Sequence, residues 1–288
     1  MSETKQNDTP KKEPEKKKSS LWPWILLLLV VWWFNNYTLK TNDVSMSSPK
    51  VAEKLRFAVV GDLHATKHGI KNDTIFKAVD EAKPDAVFFL GDMYTRDSES
   101  ELMNKPVELG EKFTAAGYPV FAVTGEHDTD REYIDGLEKV GVHVMEYESE
   151  YLDIKGTRIQ LMGIDNVYYS PTFDLRNEFT IDEGCFNLLL AHIPNYEKFA
   201  DFGADLTICA DTHGDMVQLP FGMGPMYYSE TKTWFPKLND KELEIYDKGF
   251  FDYNGGKMFI TSGIGAYPGP FRFNNRPEVV IMDVEPKR

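Results

Sequence analysis

Cysteine occurs only twice in the 288 residues, at Cys185 and Cys209. Two thiols cannot staple a chain of this length, which excludes a disulfide scaffold and a zinc site built from thiolates, and both are expected to be buried and free. Positive charge is also scarce, with 32 Lys and Arg against 46 Asp and Glu. Six lysines and four acids fall within residues 1–20, so the chain beyond them is more acidic than the net charge of -14 indicates. Such a surface repels polyanions at long range and contains no basic stripe, so no nucleic-acid partner is expected. No internal repeat occurs, and nothing in the sequence points to a protein partner. The length and the 42% hydrophobic content allow one sizeable domain.

Only one stretch is long, apolar and free of charge: LWPWILLLLVVWWF, Leu21 to Phe34. Trp22, Trp24, Trp32 and Trp33 sit at its two ends, the pattern of an interfacial aromatic belt. Fourteen residues are short for a span, but the apolar character extends to Leu39 if Asn35 and Asn36 lie at the interface. A membrane-anchor helix is therefore expected over residues 21–39. A cleaved signal segment and a buried core helix are the competing readings, and no Ala-x-Ala-like cleavage site follows. The lysines before the stretch keep the N-terminus cytoplasmic by the positive-inside rule. The expectation is a single-pass protein of the cell membrane with its domain outside. Residues 1–20 read as a disordered basic tail, 40–54 as an aperiodic linker, and 55–288 as the folded domain.

From Leu55 onward, short apolar runs end in polar loops: RFAVV into GDLH, DAVFFL into GDMY, YPVFAV into GEHD, FNLLLA into HIP, DLTICA into DTHG. Helix-like stretches lie between several of them, such as NDTIFKAVDEA, with Ile75, Phe76, Val79 and Ala82 on one face. This is the βα rhythm of a layered α/β domain, and active sites in such sheets collect where the carboxyl ends of strands converge. The strand-rich second half predicts a second sheet packed on the first.

Four of the six histidines, His64, His127, His192 and His213, stand at strand-to-loop junctions beside or near carboxylates. One such histidine is more often structural than a ligand, but four together argue for a shared centre. Two divalent ions need a bridging carboxylate, flanking imidazoles and carboxylates, and an open edge. Asp62 and His64 can grip one ion together, and Asp92 is the natural bridge.

The order DxH, GD, GxHD, H, xTHG, together with the ending GIGAYPGPFRFNNRPEV, resembles the calcineurin-like metallophosphoesterase superfamily. Within it, the chain looks like the membrane-anchored bacterial branch that includes UDP-2,3-diacylglucosamine pyrophosphatase-like proteins. The resemblance covers nearly all of residues 55–288. It implies an α/β fold, a four-layer α-β-β-α sandwich of two mixed sheets. It assigns Asp62, His64 and His213 to one metal, Asp92 to the bridge, and positions 126, 192 and 211, here Glu126, His192 and Asp211, to the other. His127 takes the place of the histidine that contacts phosphate or protonates the leaving oxygen, and Asp128 that of its orienting partner. The reaction implied is attack on phosphorus by an ion-activated hydroxide.

Two ligand positions depart from the family pattern: Glu126 stands where Asn is usual, and ADTHGDM replaces GHTHGGQ, which turns a histidine into Asp211 and places Asp215 and Met216 after His213. Asp62, Asp92, Glu126 and Asp211 together carry enough negative charge to cancel two divalent ions. Such a site favours hard, oxygen-loving ions, Mn, Mg, Fe or Ca, and attracts phosphate less. One reading is therefore a working phosphoesterase acting on a phosphorylated small molecule or a lipid-linked substrate. The other is a diverged domain that binds metal or phosphate without turnover. Glu126 as a helix cap is the plainer alternative for that residue. Arg272 is a candidate contact for a substrate phosphate, or a simple partner for an acid. Asp215 reads as a solvated loop residue. Tyr227, Tyr228, Phe250, Phe251 and Tyr253 could wall a lipid or sugar site, or belong to the core.

Overall fold

Residue alternation along the strands sorts the core into layers. In β2 (Leu55–Val60), Leu55, Phe57 and Val59 join one apolar cluster, and Ala58 and Val60 join another on the opposite face. The same division recurs in β3 (Ala86–Leu90) and β4 (Val120–Val123), as the two-residue period of a strand buried on both sides requires. The computed structural model describes residues 21–96, 98–165 and 173–287, and the expected tail over residues 1–20 lies outside them.

The first sheet has six strands in the order β1-β14-β2-β3-β4-β5, where β1 is Lys40–Ser48, β5 is His143–Val144 and β14 is Glu278–Pro286. Strands β2 to β5 run parallel, and β14 is antiparallel to β2. Helices α2 (Asn72–Ala82), α3 (Ser100–Ala115) and α4 (Arg131–Lys139) cover its outer face through Ile75, Val79, Leu109, Phe113, Ile134 and Leu137. The second sheet runs β12-β13-β9-β8-β7-β6: Gly249–Tyr253, Gly256–Ile260, Leu206–Cys209, Phe186–Leu190, Thr157–Gly163 and Glu148–Ile154. Helix α5 (Tyr196–Phe202) packs Phe199 and Phe202 against its outer face. Phe57, Phe88 and Phe121 from one sheet and Phe186, Leu188 and Ile208 from the other fill the space between, so the layers are helix, sheet, sheet, helix. Cys185 and Cys209 are buried free thiols, as expected.

Two expectations for the N-terminal region are corrected. Residues 40–48, read as linker, form β1, paired in parallel with β14 from Lys40 opposite Glu278 to Ser48 opposite Pro286. Only Val44 and Met46 carry the alternation onto the core, and an edge strand with one half-buried face needs no more. The helix found where a span was expected at 21–39 is also shorter than that expectation. Helix α1 (Trp22–Tyr37) has 16 residues, which at about 1.5 Å each fall short of the roughly 30 Å of bilayer hydrocarbon. No helix among the described residues is long and apolar enough to cross a membrane. Asn35 and Asn36, which had to sit at an interface to lengthen the stretch, are buried against the domain, where they accept hydrogen bonds from the backbone N–H groups of Asn274 and Arg272.

Candidate metal centre

The carboxyl ends of β2, β3 and β4 in one sheet and of β8 and β9 in the other open onto one rim, and the five polar loops read from the sequence meet there. All seven expected ligands converge. Asp62, His64 and His213 present donor atoms within 4.8 Å of one another, as do Asp62, Asp92 and His192, and again Glu126, His192 and Asp211. His127 joins His64 and Asp92 in a further group of the same size.

The backbone bends sharply to achieve this. Asp62, His64, Asp92, Asp211 and His213 all have positive φ, between 39° and 68°, a region that residues with a side chain avoid unless the surroundings hold them there. The loops also approach each other closely. A Cβ at Gly125 would collide with the Asp92 carboxylate, so only glycine lets the GEHD loop lie against the GDMY loop.

Asp92 Oδ2 stands 3.6 Å from His64 Nε2 and 3.5 Å from His192 Nε2, between the two halves of the cluster, while its Oδ1 accepts the backbone N–H of His127 at 3.0 Å. His192 Nε2 is also 3.7 Å from Asp211 Oδ1, and His64 Nε2 is 3.2 Å from His213 Nε2. Donors that share one ion at about 2.1 Å stand about 3.0–4.2 Å apart, so these spacings fit common ions. Asp62 Oδ2 and His192 Nε2 are buried and make no hydrogen bond, which is costly unless a cation satisfies them. The residues present therefore fit a pair of divalent ions, with Asp62, His64 and His213 at one, Glu126, His192 and Asp211 at the other, and Asp92 between. Glu126 is thus a member of the donor set rather than a helix cap, and Asp130 occupies the position before α4.

Charge points the same way. Burial pushes the Asp62 carboxyl up to about 8, and Asp92 and Asp211 add to that push. Burial also lifts Asp211 to about 6, helped by Glu126 and Asp92. Asp92 is buried too, yet its contacts with His192 and the His127 N–H hold it down at about 2. Burial lowers His64 to about 4 and His213 well below the usual imidazole value, which keeps both neutral with a lone pair to offer. The fold thus assembles more carboxylate charge than it neutralises.

Two expected roles are corrected. Asp128 does not orient His127: its Oδ1 accepts from Gly125 N at 2.6 Å and its Oδ2 from Met93 N at 2.8 Å, so it ties together the loops that carry Glu126 and Asp92. His127 Nδ1 instead accepts from the backbone N–H of Arg96 at 3.2 Å. Arg272 is not positioned to touch a substrate phosphate. It is 2% exposed, and its guanidinium donates to the carbonyls of Ser262 (2.6 Å) and Gly265 (2.8 Å) and lies 3.3 Å from His213 Nδ1, behind that ligand.

Four neighbours escaped the sequence reading. Thr95 Oγ1 is 3.0 Å from His64 Nδ1, Arg96 donates a side-chain N–H to the Glu126 carbonyl, and Asn275 Nδ2 donates to the His213 carbonyl at 2.7 Å. Tyr267 stacks on His64, with ring centres 5.3 Å apart, and meets His127 edge-on at 4.7 Å. Their only sequence signal was proximity to a recognised motif. A cavity of about 1140 Å³ adjoins the centre, with Asp211, His213, Tyr196, Tyr227, Tyr246 and Tyr267 in its wall. Tyr228 and Asp215 also line it, and Asp215 is bonded to Ser229 N rather than solvated. Phe250, Phe251 and Tyr253 belong to the packing of β12 against the two cores.

The model of the calcineurin-like phosphoesterase family matches residues 55–215, more than half of the chain. The chain belongs to that family. It is a phosphoester hydrolase by that membership. It is 22% identical over 233 residues to the uncharacterized metallophosphoesterase YkuE of Bacillus subtilis (strain 168), covering 78% of this chain and 77% of that one. It is 24% identical over 243 residues to phosphodiesterase YaeI of Escherichia coli (strain K12), covering 81% and 83%. Among solved structures, the NAD nucleotidase NadN of Haemophilus influenzae is similar over 72% of this chain and 44% of that one, at 16% identity and a TM-score of 0.42. The narrower likeness to UDP-2,3-diacylglucosamine pyrophosphatases finds no support in these two sequence relatives.

Proposed function

We propose that this phosphoester hydrolase uses two divalent ions and acts on a phosphodiester or pyrophosphate that carries a large organic group. The observation that carries the two-ion reading is Asp92 Oδ2, placed between His64 Nε2 and His192 Nε2 at 3.6 and 3.5 Å. When bound, the ions supply Lewis acidity and charge neutralisation at phosphorus. Asp62, His64, His213, Asp92, Glu126, His192 and Asp211 hold them. His127, half-buried at the edge of the cluster, is placed to donate to a phosphoryl or leaving oxygen. Tyr267 stands over the two imidazoles on the cavity side.

The adjoining cavity, larger than the usual small-molecule site, and its tyrosine wall support a bulky substituent on one side of phosphorus. A lipid-linked or envelope diester is the class this reading favours. The phosphodiesterase name of one relative supports a diester over a monoester.

The test is hydrolysis of bis-p-nitrophenyl phosphate against p-nitrophenyl phosphate with Mn²⁺, Mg²⁺, Co²⁺ or Fe, for the natural chain and for the double variant Glu126→Asn/Asp211→His. The reading expects turnover of the diester by the natural chain, with a shift of metal preference in the variant. Turnover by the variant alone would mean that the natural centre binds metal or phosphate without turnover.

A further inference from the structure

Helix α1 presents an apolar surface on every side. Trp22 is 75% exposed, Leu28 68% and Trp33 54%, with Ile25 and Val30 open between them. A groove on a partner protein, or the same helix of a second copy, covers one stripe of a helix. An apolar solvent covers all of it.

The C-terminal end of α1 is clamped to the domain. Asn36 Nδ2 donates to Arg272 O at 3.0 Å, and its Oδ1 accepts from Arg272 N at 2.8 Å. Asn35 Oδ1 accepts from Asn274 N, and Trp32 Nε1 donates to Pro270 O, each at 2.8 Å. The gripped segment carries Phe271, 73% exposed, and Phe273, 49% exposed. Beside it, Gln218 N bonds to Phe273 O at 3.0 Å, and Pro220 shares a hollow of about 530 Å³ with Phe34 and Phe273. Phe221 follows, 97% exposed and at φ 60°, a backbone region that a bulky residue enters only under strain. No described residue packs over that ring.

We propose that α1 and this aromatic fringe form a lipid-docking surface, with α1 covered by bilayer hydrocarbon and Phe221, Phe271 and Phe273 resting at the headgroup boundary. Charge identifies the lipid. Lys11, Lys12, Lys16, Lys17 and Lys18 directly precede α1, while the domain is acidic, so anionic headgroups attract the first and hold off the second except at the fringe. The gripped segment continues back to Pro268 and Tyr267, which line the cavity beside the metal centre. Docking by this surface therefore fixes the cavity mouth next to the headgroups.

The full chain is tested by flotation with vesicles of phosphatidylcholine alone and of phosphatidylcholine with phosphatidylglycerol. Lipids brominated on the acyl chain serve as quenchers of tryptophan emission in a Trp234→Phe background, which leaves only the tryptophans of α1. The expected result is flotation that strengthens with phosphatidylglycerol, with quenching. Leu28→Glu with Val30→Glu, both at exposed positions, abolishes flotation while metal content and thermal unfolding stay unchanged. Phe221→Asp with Phe271→Asp weakens partitioning about tenfold or more. The proposal is overturned if the chain stays with the aqueous fraction, or if Leu28→Glu with Val30→Glu instead breaks a defined oligomer into monomers, which would assign the surface to a second copy. It is equally overturned if the phenylalanine changes leave partitioning untouched. None of these readouts depends on turnover, so their failure leaves the phosphoesterase reading standing.

Discussion

His192 Nδ1 donates to the carbonyl oxygen of Leu90 at 2.6 Å, a bond across 102 residues of sequence that joins the end of β8 to the end of β3. A carbonyl can only accept, so one ring proton is fixed on Nδ1, and Nε2, 3.5 Å from Asp92 and 3.7 Å from Asp211, is the nitrogen left to hold an ion. Deleting this imidazole removes a donor from one ion and leaves the Asp62, His64 and His213 group intact. The chain with His192→Ala is therefore expected to bind one equivalent of Mn²⁺ where the natural chain binds two, as counted by metal analysis after dialysis. Two equivalents in the variant would contradict the assignment.

Asp128 offers a test of a structural role against a catalytic one. Both of its oxygens accept backbone N–H groups, from Gly125 and Met93. An Asn in its place turns an NH₂ toward one of those donors, at a cost of about 1–3 kcal/mol. Asp128→Asn should therefore lower the thermal midpoint and kcat together while leaving the pH-rate profile where it was. A displaced profile would instead tie Asp128 to the protonation of His127.

Arg272 acts through His213 and two carbonyls. Lysine keeps the charge but cannot span Ser262 O, Gly265 O and the edge of the His213 ring at once. Arg272→Lys is expected to weaken metal binding about 10–100-fold, the usual effect of losing a group that orients a ligand. Isothermal titration with Mn²⁺ on metal-free protein measures this directly, and unchanged affinity would reduce Arg272 to a packing role.

The sequence made the βα rhythm and the candidate donor cluster legible because each of these donors follows an apolar run, a pattern that survives in one dimension. β1 was hidden because an edge strand needs only one sheltered face, and KTNDVSMSS supplies just Val44 and Met46 for it. The role of Asp128 was hidden for a different reason: its partners Met93 and Gly125 meet it only once the GDMY and GEHD loops fold together, 35 residues apart at the wider pair. The same holds for Tyr267 and Thr95, whose positions over His64 depend on the fold of loops rather than on any local period.

Metal binding and pH are linked through Asp62. Its folded carboxyl titrates near 8 against an ordinary 3.8, so in metal-free protein the protonated form is the stable one. A carboxyl raised in this way contributes stability that is fully present below about 3.8 and is lost as pH rises through about 8. Asp211, lifted to about 6, adds a loss of the same sign at lower pH. Cations bind the ionised forms, so their stabilisation must grow over the same interval as protons leave. The thermal midpoint of metal-free protein should fall between about pH 6.5 and pH 8, above the interval in which His64 and His213, kept neutral by burial, add stability of the opposite sign, whereas the upward shift produced by a fixed concentration of Mn²⁺ should widen steadily over that range. A shift that stays constant with pH would mean that neither carboxyl gives up a proton to the ions, and both would then have to leave the donor set.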